Sequence, residues 1–279
     1  MQTQTIERAG LNGLSRVERI MGMPIRIDVR DASVDPAALD RAFVWFGWVD
    51  ATFSTYKPDS AISRLNRGEL SLSEAHPDVR AVLERCAELG RETGGYFDIH
   101  SAMLLQWERL GDEALRIGAV EPASLVKGWA VDRAARLLEA AGARNYYIDA
   151  GGDIRVRGRP TPGEPGASWR VGIRHPLERD KVAAVVTATD LAIATSGAYE
   201  RGDHIIDPHG GQPPSGLLSV TIVGPDLATA DAYATAAYAM GREGPTWTAR
   251  LVSAGYEAMT ILSDHTVLST PAFPVAPTA

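Results

Sequence analysis

Hydrophobic and polar positions change period several times along this chain, and each change marks an element. Pro24-Ile25-Arg26-Ile27-Asp28-Val29-Arg30 alternates with a period of two, which predicts a half-buried strand within residues 16–30. Asp35 as N-cap and Pro36 at the first helical position predict a helix to about residue 53. A second helix is expected over 77–93, stopped by Gly94-Gly95. Between them, residues 53–66 are too polar for a core element and too aromatic for disorder, the mark of an ordered functional loop. Over 127–141, Val131, Ala134, Leu138 and Ala141, with Ala130 and Leu137 beside them, form one helical face that ends at Gly142. Strands over 145–149, 153–156, 169–173, 182–188 and 191–195 then predict an antiparallel meander, with a turn at Gly151-Gly152 and a Pro/Gly-rich surface loop at 158–166. A strand over 217–223, helices over 226–241 and 246–254, and a hairpin over 256–269 complete the pattern.

This alternation of strands and helices over 279 residues predicts one α+β domain over 16–269. Residues 1–15 read as an extension and 270–279 as a loose tail. The formal charge, 28 − 35 = −7, argues against nucleic acid as a partner, so an anionic ligand must meet positive charge locally. Apolar runs are too short to span a bilayer, and Met1-Gln2-Thr3-Gln4-Thr5-Ile6-Glu7-Arg8 leads into no signal-like apolar region, which predicts a cytoplasmic protein with no membrane span. Cys86, the one cysteine, sits in a helical pattern and is expected to pack in the core.

Several local patterns carry chemistry. Asp231 and Thr235 share a helix face at i,i+4 and offer two hard oxygens of the kind Mg²⁺ prefers, although a helical Thr also bonds its own turn and an Asp can simply be solvated. Lys127-Gly128 at a helix start would suit a phosphate, or Lys127 is a solvated side chain. Tyr96-Phe97-Asp98 after the glycine stop could line a site for a flat ring, though such residues more often anchor a loop. His204-Ile205-Ile206-Asp207-Pro208-His209-Gly210-Gly211 matches no zinc spacing and reads as a tight turn. Arg201-Gly202-Asp203 spells an adhesion tripeptide, a match that three residues often make by chance.

In chain order, Met21-Gly22 in the first strand, Phe53-Ser54-Thr55-Tyr56, Ser60 to Asn66, Gly94-Gly95-Tyr96-Phe97-Asp98, Lys127-Gly128-Trp129-Ala130-Val131-Asp132 and Asp149-Ala150-Gly151-Gly152-Asp153 resemble the ApbE family, the FAD:protein FMN transferases. Trp169-Arg170-Val171-Gly172-Ile173, Thr195-Ser196-Gly197, His204-Ile205-Ile206-Asp207-Pro208 and Ala230-Asp231-Ala232-Tyr233-Ala234-Thr235 extend the likeness. The resemblance implies a single α+β domain with mixed or antiparallel sheets and packed helices. It also implies binding of FAD with Mg²⁺ and transfer of FMN to a threonine or serine of an acceptor flavoprotein, with release of AMP. On it, Asp231, Thr235 and the Ser124 carbonyl become metal ligands, Lys127 faces FAD, and Glu121 stands where the family usually has aspartate. Met21, Tyr56, Tyr96, Phe97, Asp98 and Ile205 match flavin-nucleotide contacts, and His204 matches a proposed base, with Asp231 as the alternative. The chain departs from the family pattern at Met23, His100 and Ala123-Ser124 and in the short loop before His204, which points to a differently shaped acceptor groove. Two rival readings share these residues: an FAD pyrophosphatase that gives FMN and AMP, and a non-catalytic FAD-binding protein.

Overall fold

The computed structural model describes residues 13–100, 120–198, 202 and 204–276. Most of the predicted extension, the end of the predicted tail, and Arg201 and Asp203 of the adhesion-like tripeptide lie outside the described residues. Among the described residues there are ten strands: β1 (Leu14–Ile20), β2 (Met23–Val29), β3 (Tyr146–Ala150), β4 (Asp153–Arg157), β5 (Trp169–Arg174), β6 (Val182–Ala188), β7 (Leu191–Gly197), β8 (Leu217–Gly224), β9 (Glu257–Leu262) and β10 (Val267–Ser269). Eight of them form one sheet in the order β1-β2-β3-β4-β7-β8-β9-β10, and every pairing in it is antiparallel. The expected meander is therefore interrupted. The hairpin β5–β6 leaves the large sheet to form a two-stranded sheet of its own, and β4 pairs directly with β7.

Two tight hairpins set the geometry of one sheet end. Met21-Gly22 is not part of a strand, as expected from the sequence, but the turn between β1 and β2, with φ of 56° and 75°. Gly151-Gly152 joins β3 to β4 with φ of 61° and 95°. Positive φ at both central residues gives a twist that matches the flanking strands, so each loop can close in two residues.

Among the described residues the α-helices are α1 (Ala37–Phe53), α2 (Ala61–Asn66), α3 (Pro77–Glu92), α4 (Ala123–Ala140), α5 (Leu227–Ala239) and α6 (Gly244–Thr248), the last continued by a 3₁₀ turn over Ala249–Ala254. The segment 53–66 is thus partly helical: α2 starts where the Ser60 side chain accepts the Ser63 N–H. α4 begins four residues before the predicted start because Leu125 and Val126 extend its buried face. The helix expected over 246–254 is shorter in α form, and Gly255 at φ 83° stops its 3₁₀ continuation.

Alternating side chains of the large sheet feed two cores. On one face Ile25, Ile27, Ile148, Val220 and Ile222 pack against α1, α4 and α5. On the other, Val156, Ile193, Val223 and Met259 meet Trp169, Val171 and Val186 of the small sheet. Residues 270–276 are not a loose tail: Phe273 joins this second core and Val275 bridges Val186. Cys86 is buried in the first core. Among the described residues no helix is long and apolar enough to cross a membrane.

Candidate active site

A cavity of about 850 Å³ opens where the two hairpin turns, the start of α4, one turn of α5 and strand β5 converge. That volume suits a ligand of nucleotide size. Its charged wall is made by packing. A Cβ on Gly128 would lie 2.5 Å from the Leu227 carbonyl oxygen, so glycine is what lets α4 and the alanine-rich α5 touch backbone to backbone. The buried Asp132 carboxylate, one turn further along α4, accepts the N–H groups of Leu227 and Ala228 at 2.9 Å and so caps α5. Burial holds this carboxyl above the ordinary carboxylate range, although those two backbone bonds work in the other direction.

This locking brings three charges together. Lys127 pairs with Asp153 beside the Gly151-Gly152 turn and lies 3.7 Å from Asp231 on α5. Both carboxylates are nearly fully buried, while the lysine keeps about a fifth of its side chain exposed. Thr235, one turn after Asp231, sits 3.4 Å from the Ser196 hydroxyl on β7. Two buried negative charges facing one ammonium leave an excess of acid, which is electrostatically suited to a further cation. Hard oxygens from Asp231, Thr235 and Ser124 line the same cavity, so the donor set fits Mg²⁺. No group of three or more His, Cys, Asp or Glu residues that could hold a metal occurs among the described residues, so a site here depends on hydroxyl and carbonyl oxygens.

The expectation that Lys127 opens a helix is corrected by this geometry. It lies in the second turn of α4, and the N–H of Ala123 is taken by the Glu121 carboxylate at 3.1 Å. Lys127 therefore acts as a side-chain charge and not as part of a helix-end anion site. Glu121 also accepts the Thr55 hydroxyl at 2.6 Å. The Asn66 carboxamide exchanges two hydrogen bonds with the Val120 backbone, at 2.9 and 3.1 Å, which places Glu121 on the cavity wall. Thus the Ser60 to Asn66 motif builds the wall that carries Glu121.

Of the residues predicted from the sequence, Met21, Tyr56, Glu121, Ser124, Lys127, His204, Ile205, Asp231 and Thr235 all line the cavity. Tyr96, Phe97 and Asp98 do not. Phe97 is buried in the core, and Tyr96 packs edge-on against His209 at 4.5 Å between ring centres. The His209 Nε2 lies 3.1 Å from the Gly94 carbonyl oxygen, so these aromatics anchor the loop that carries His204 and Ile205. Asp207 and Gln212 close that loop as a bridged turn, in line with the turn reading of Asp207-Pro208 and Gly210-Gly211. His204 is exposed, and its Nδ1 lies 3.0 Å from the Gly202 carbonyl oxygen.

The sequence reading missed Asp153 as the partner of Lys127, Asp149 on β3 of the same hairpin, and Arg170 and Arg174 on β5, all of which line the cavity. Burial holds the Asp149 carboxyl above its ordinary range. The blocks Asp149 to Asp153 and Trp169 to Ile173 carried these residues, but only their tertiary placement shows what they face.

A single α+β domain with a charged, nucleotide-sized cavity is the class that fold and site define. The chain belongs to the ApbE family, whose model matches residues 21–118 and 115–260. It is 30% identical over 239 residues to the FAD:protein FMN transferase of Vibrio cholerae serotype O1, covering 70% of this chain and 71% of that protein. It is 31% identical over 245 residues to the protein of the same name from Escherichia coli K12, covering 70% and 68%. The structure of the ApbE protein of Thermotoga maritima superposes with a TM-score of 0.81 at 23% identity, covering 94% of this chain and 98% of that one. That of the flavin transferase ApbE from Vibrio cholerae gives 0.79 at 24%, with the same coverage. These two structures share the fold.

Proposed function

We propose that this chain transfers the FMN moiety of FAD to the hydroxyl of a threonine or serine on an acceptor flavoprotein and releases AMP. The observation that carries this reading is Lys127 held between buried Asp153 and Asp231 on the wall of a nucleotide-sized cavity, with Thr235 one turn beyond. The shared name of the relatives supports it. In the step, the acceptor oxygen forms a bond to the FMN-side phosphorus, the bond from that phosphorus to the bridging oxygen breaks, and AMP leaves with the electron pair. Lys127 reduces the repulsion between the dianionic pyrophosphate and the incoming oxygen. Asp231, Thr235 and the Ser124 carbonyl would hold Mg²⁺, which when bound neutralises charge on the pyrophosphate and the leaving phosphate.

The hydroxyl proton needs an acceptor, and His204 suits it better than Asp231. A carbonyl oxygen can only accept, so the 3.0 Å contact with Gly202 favours the neutral tautomer with its proton on Nδ1, in which Nε2 carries the basic lone pair. Asp231 already faces Lys127 and would serve as a ligand of the cation, so its carboxylate has another role in the step. The test is incubation with FAD, Mg²⁺ and flavoproteins of the same source, followed by intact-mass measurement. A gain of one FMN on an acceptor supports transfer. Free FMN and AMP alone would make the chain a pyrophosphatase, and unchanged FAD would make it a binding protein.

A further inference from the structure

We infer that the acceptor's target segment binds as an added antiparallel or parallel strand on the open edge of β5, inside the cavity. This deepens the transfer reading and rests on it. The argument begins on the far side of the small sheet. There Thr187 N–H donates to the Pro274 carbonyl at 2.9 Å and Ala276 N–H to the Val185 carbonyl at 2.7 Å, so Val185 and Thr187 turn their backbone groups toward residues 274–276. Backbone groups alternate sides along a strand. Ala184, Val186 and Ala188 therefore turn toward β5, where they are opposite Ile173, Val171 and Trp169. Arg170 and Gly172, opposite Thr187 and Val185, must turn their N–H and C=O groups the other way.

That other way is the cavity. Five consecutive residues of β5, Arg170 to Arg174, line it, which occurs only when the strand presents its edge rather than one face. Among the described residues no strand pairs with this edge. The outward groups of Arg170 and Gly172 recur at roughly 6.6–6.8 Å, the two-residue repeat that an extended peptide matches in any sequence. Charge narrows the occupant further. Arg170, beside Gly172, is exposed and lines the cavity, so the segment that fits carries an acidic residue near its hydroxyl.

Gly172→Pro tests this directly, because it removes an outward N–H while leaving the ladder to β6 untouched. Gly172 is not in the left-handed region, and a Cβ there meets only the side chain of Val182 at 3.3 Å. Gly172→Ala adds the same Cβ and keeps the N–H, so it isolates the lost bond. With the acceptor flavoprotein found by mass measurement, Gly172→Pro is expected to raise the acceptor KM about three- to tenfold, with FAD affinity unchanged and Gly172→Ala close to wild type. A peptide spanning the modified residue, N-methylated one position at a time, should lose affinity for the wild-type protein at alternate positions only. Equal acceptor KM for the Pro and Ala variants, or uniform tolerance of N-methylation, would overturn the inference. Weakened FAD binding by Gly172→Pro with the acceptor unaffected would overturn it too, since the edge would then read the nucleotide. Should Gly172→Pro fail to fold, the N-methyl series on wild type decides alone. Absence of any FMN transfer by wild type would instead defeat the transfer reading itself.

Discussion

The two walls of the cavity are built by opposite means. On the helical wall, α4 and α5 touch backbone to backbone at Gly128, and Asp132 ties the start of α5 to α4, so Lys127 and Asp231 have little freedom to move apart. On the strand wall, β5 is supported from behind by Trp169, Val171 and Ile173 in the second core, while its edge faces open space. A wall closed by side-chain and backbone packing preorganises charge, and a wall that ends in a strand edge with no partner strand among the described residues is suited to add one. The division matches a reaction in which a fixed nucleotide is attacked by a group that arrives on another protein.

The largest effect is expected from breaking the charge cluster of the helical wall. Lys127→Ala should lower transfer by about 10²–10³-fold, the range for one preorganised transition-state charge, with kcat falling more than the KM for acceptor rises. It also leaves Asp153 and Asp231 buried without their cation, at about 3–5 kcal/mol of stability. Thermal unfolding with added Mg²⁺ should recover part of that loss, and the absence of any Mg²⁺-dependent gain would show that Asp231 does not bind the ion.

Next comes the packing that positions the cluster. Gly128→Ala places its Cβ 2.5 Å from the Leu227 oxygen and 2.7 Å from the Ala228 Cα, both backbone atoms, so α5 must shift. A loss of about 1–3 kcal/mol and a fall in Tm of about 2–12 °C are expected, with transfer impaired even below the new Tm. Unchanged activity and Tm would mean that the helical wall is not the rigid one.

A smaller and pH-dependent effect is expected at Asp132. Because burial raises its folded pKa, its stabilising contribution is full below the ordinary aspartate value and declines as pH rises through the raised value. Asp132→Asn does not titrate, so its deficit relative to wild type in urea unfolding should be larger near pH 4 than near pH 7. A deficit that grows toward neutral pH would contradict the burial argument. The smallest effect lies away from both walls: burial pushes the Cys86 thiol up to about 12, so native protein at pH 8 should resist alkylation that urea-unfolded protein undergoes readily.

Much of this was legible in the sequence because it depends on local spacing. The i,i+4 relation of Asp231 and Thr235 needs only a helix, and the glycine pair at 151–152 needs only a two-residue turn. Lys127 lies four residues inside its helix because Leu125 and Val126 already belong to the buried face ahead of it. Asp153 as its partner, the anchoring role of Tyr96 and Phe97, and the packed residues 270–276 arise from contacts between segments far apart in the chain, which period and propensity do not encode. The open edge of β5 could not be read in advance, since the strand pattern of 169–173 is the same whether its neighbour is one strand or two.

The measurement that tests the central claim most directly is the intact mass of an acceptor flavoprotein after incubation with FAD and Mg²⁺, using wild type and Asp231→Asn side by side. Wild type should add one FMN to a threonine or serine. Asp231→Asn, which keeps the shape of the side chain but loses its charge, should add almost none over the same time. Equal addition by both proteins, or no loss of addition by wild type when the divalent ion is chelated, would contradict a transfer centre built on Lys127, Asp231 and Thr235.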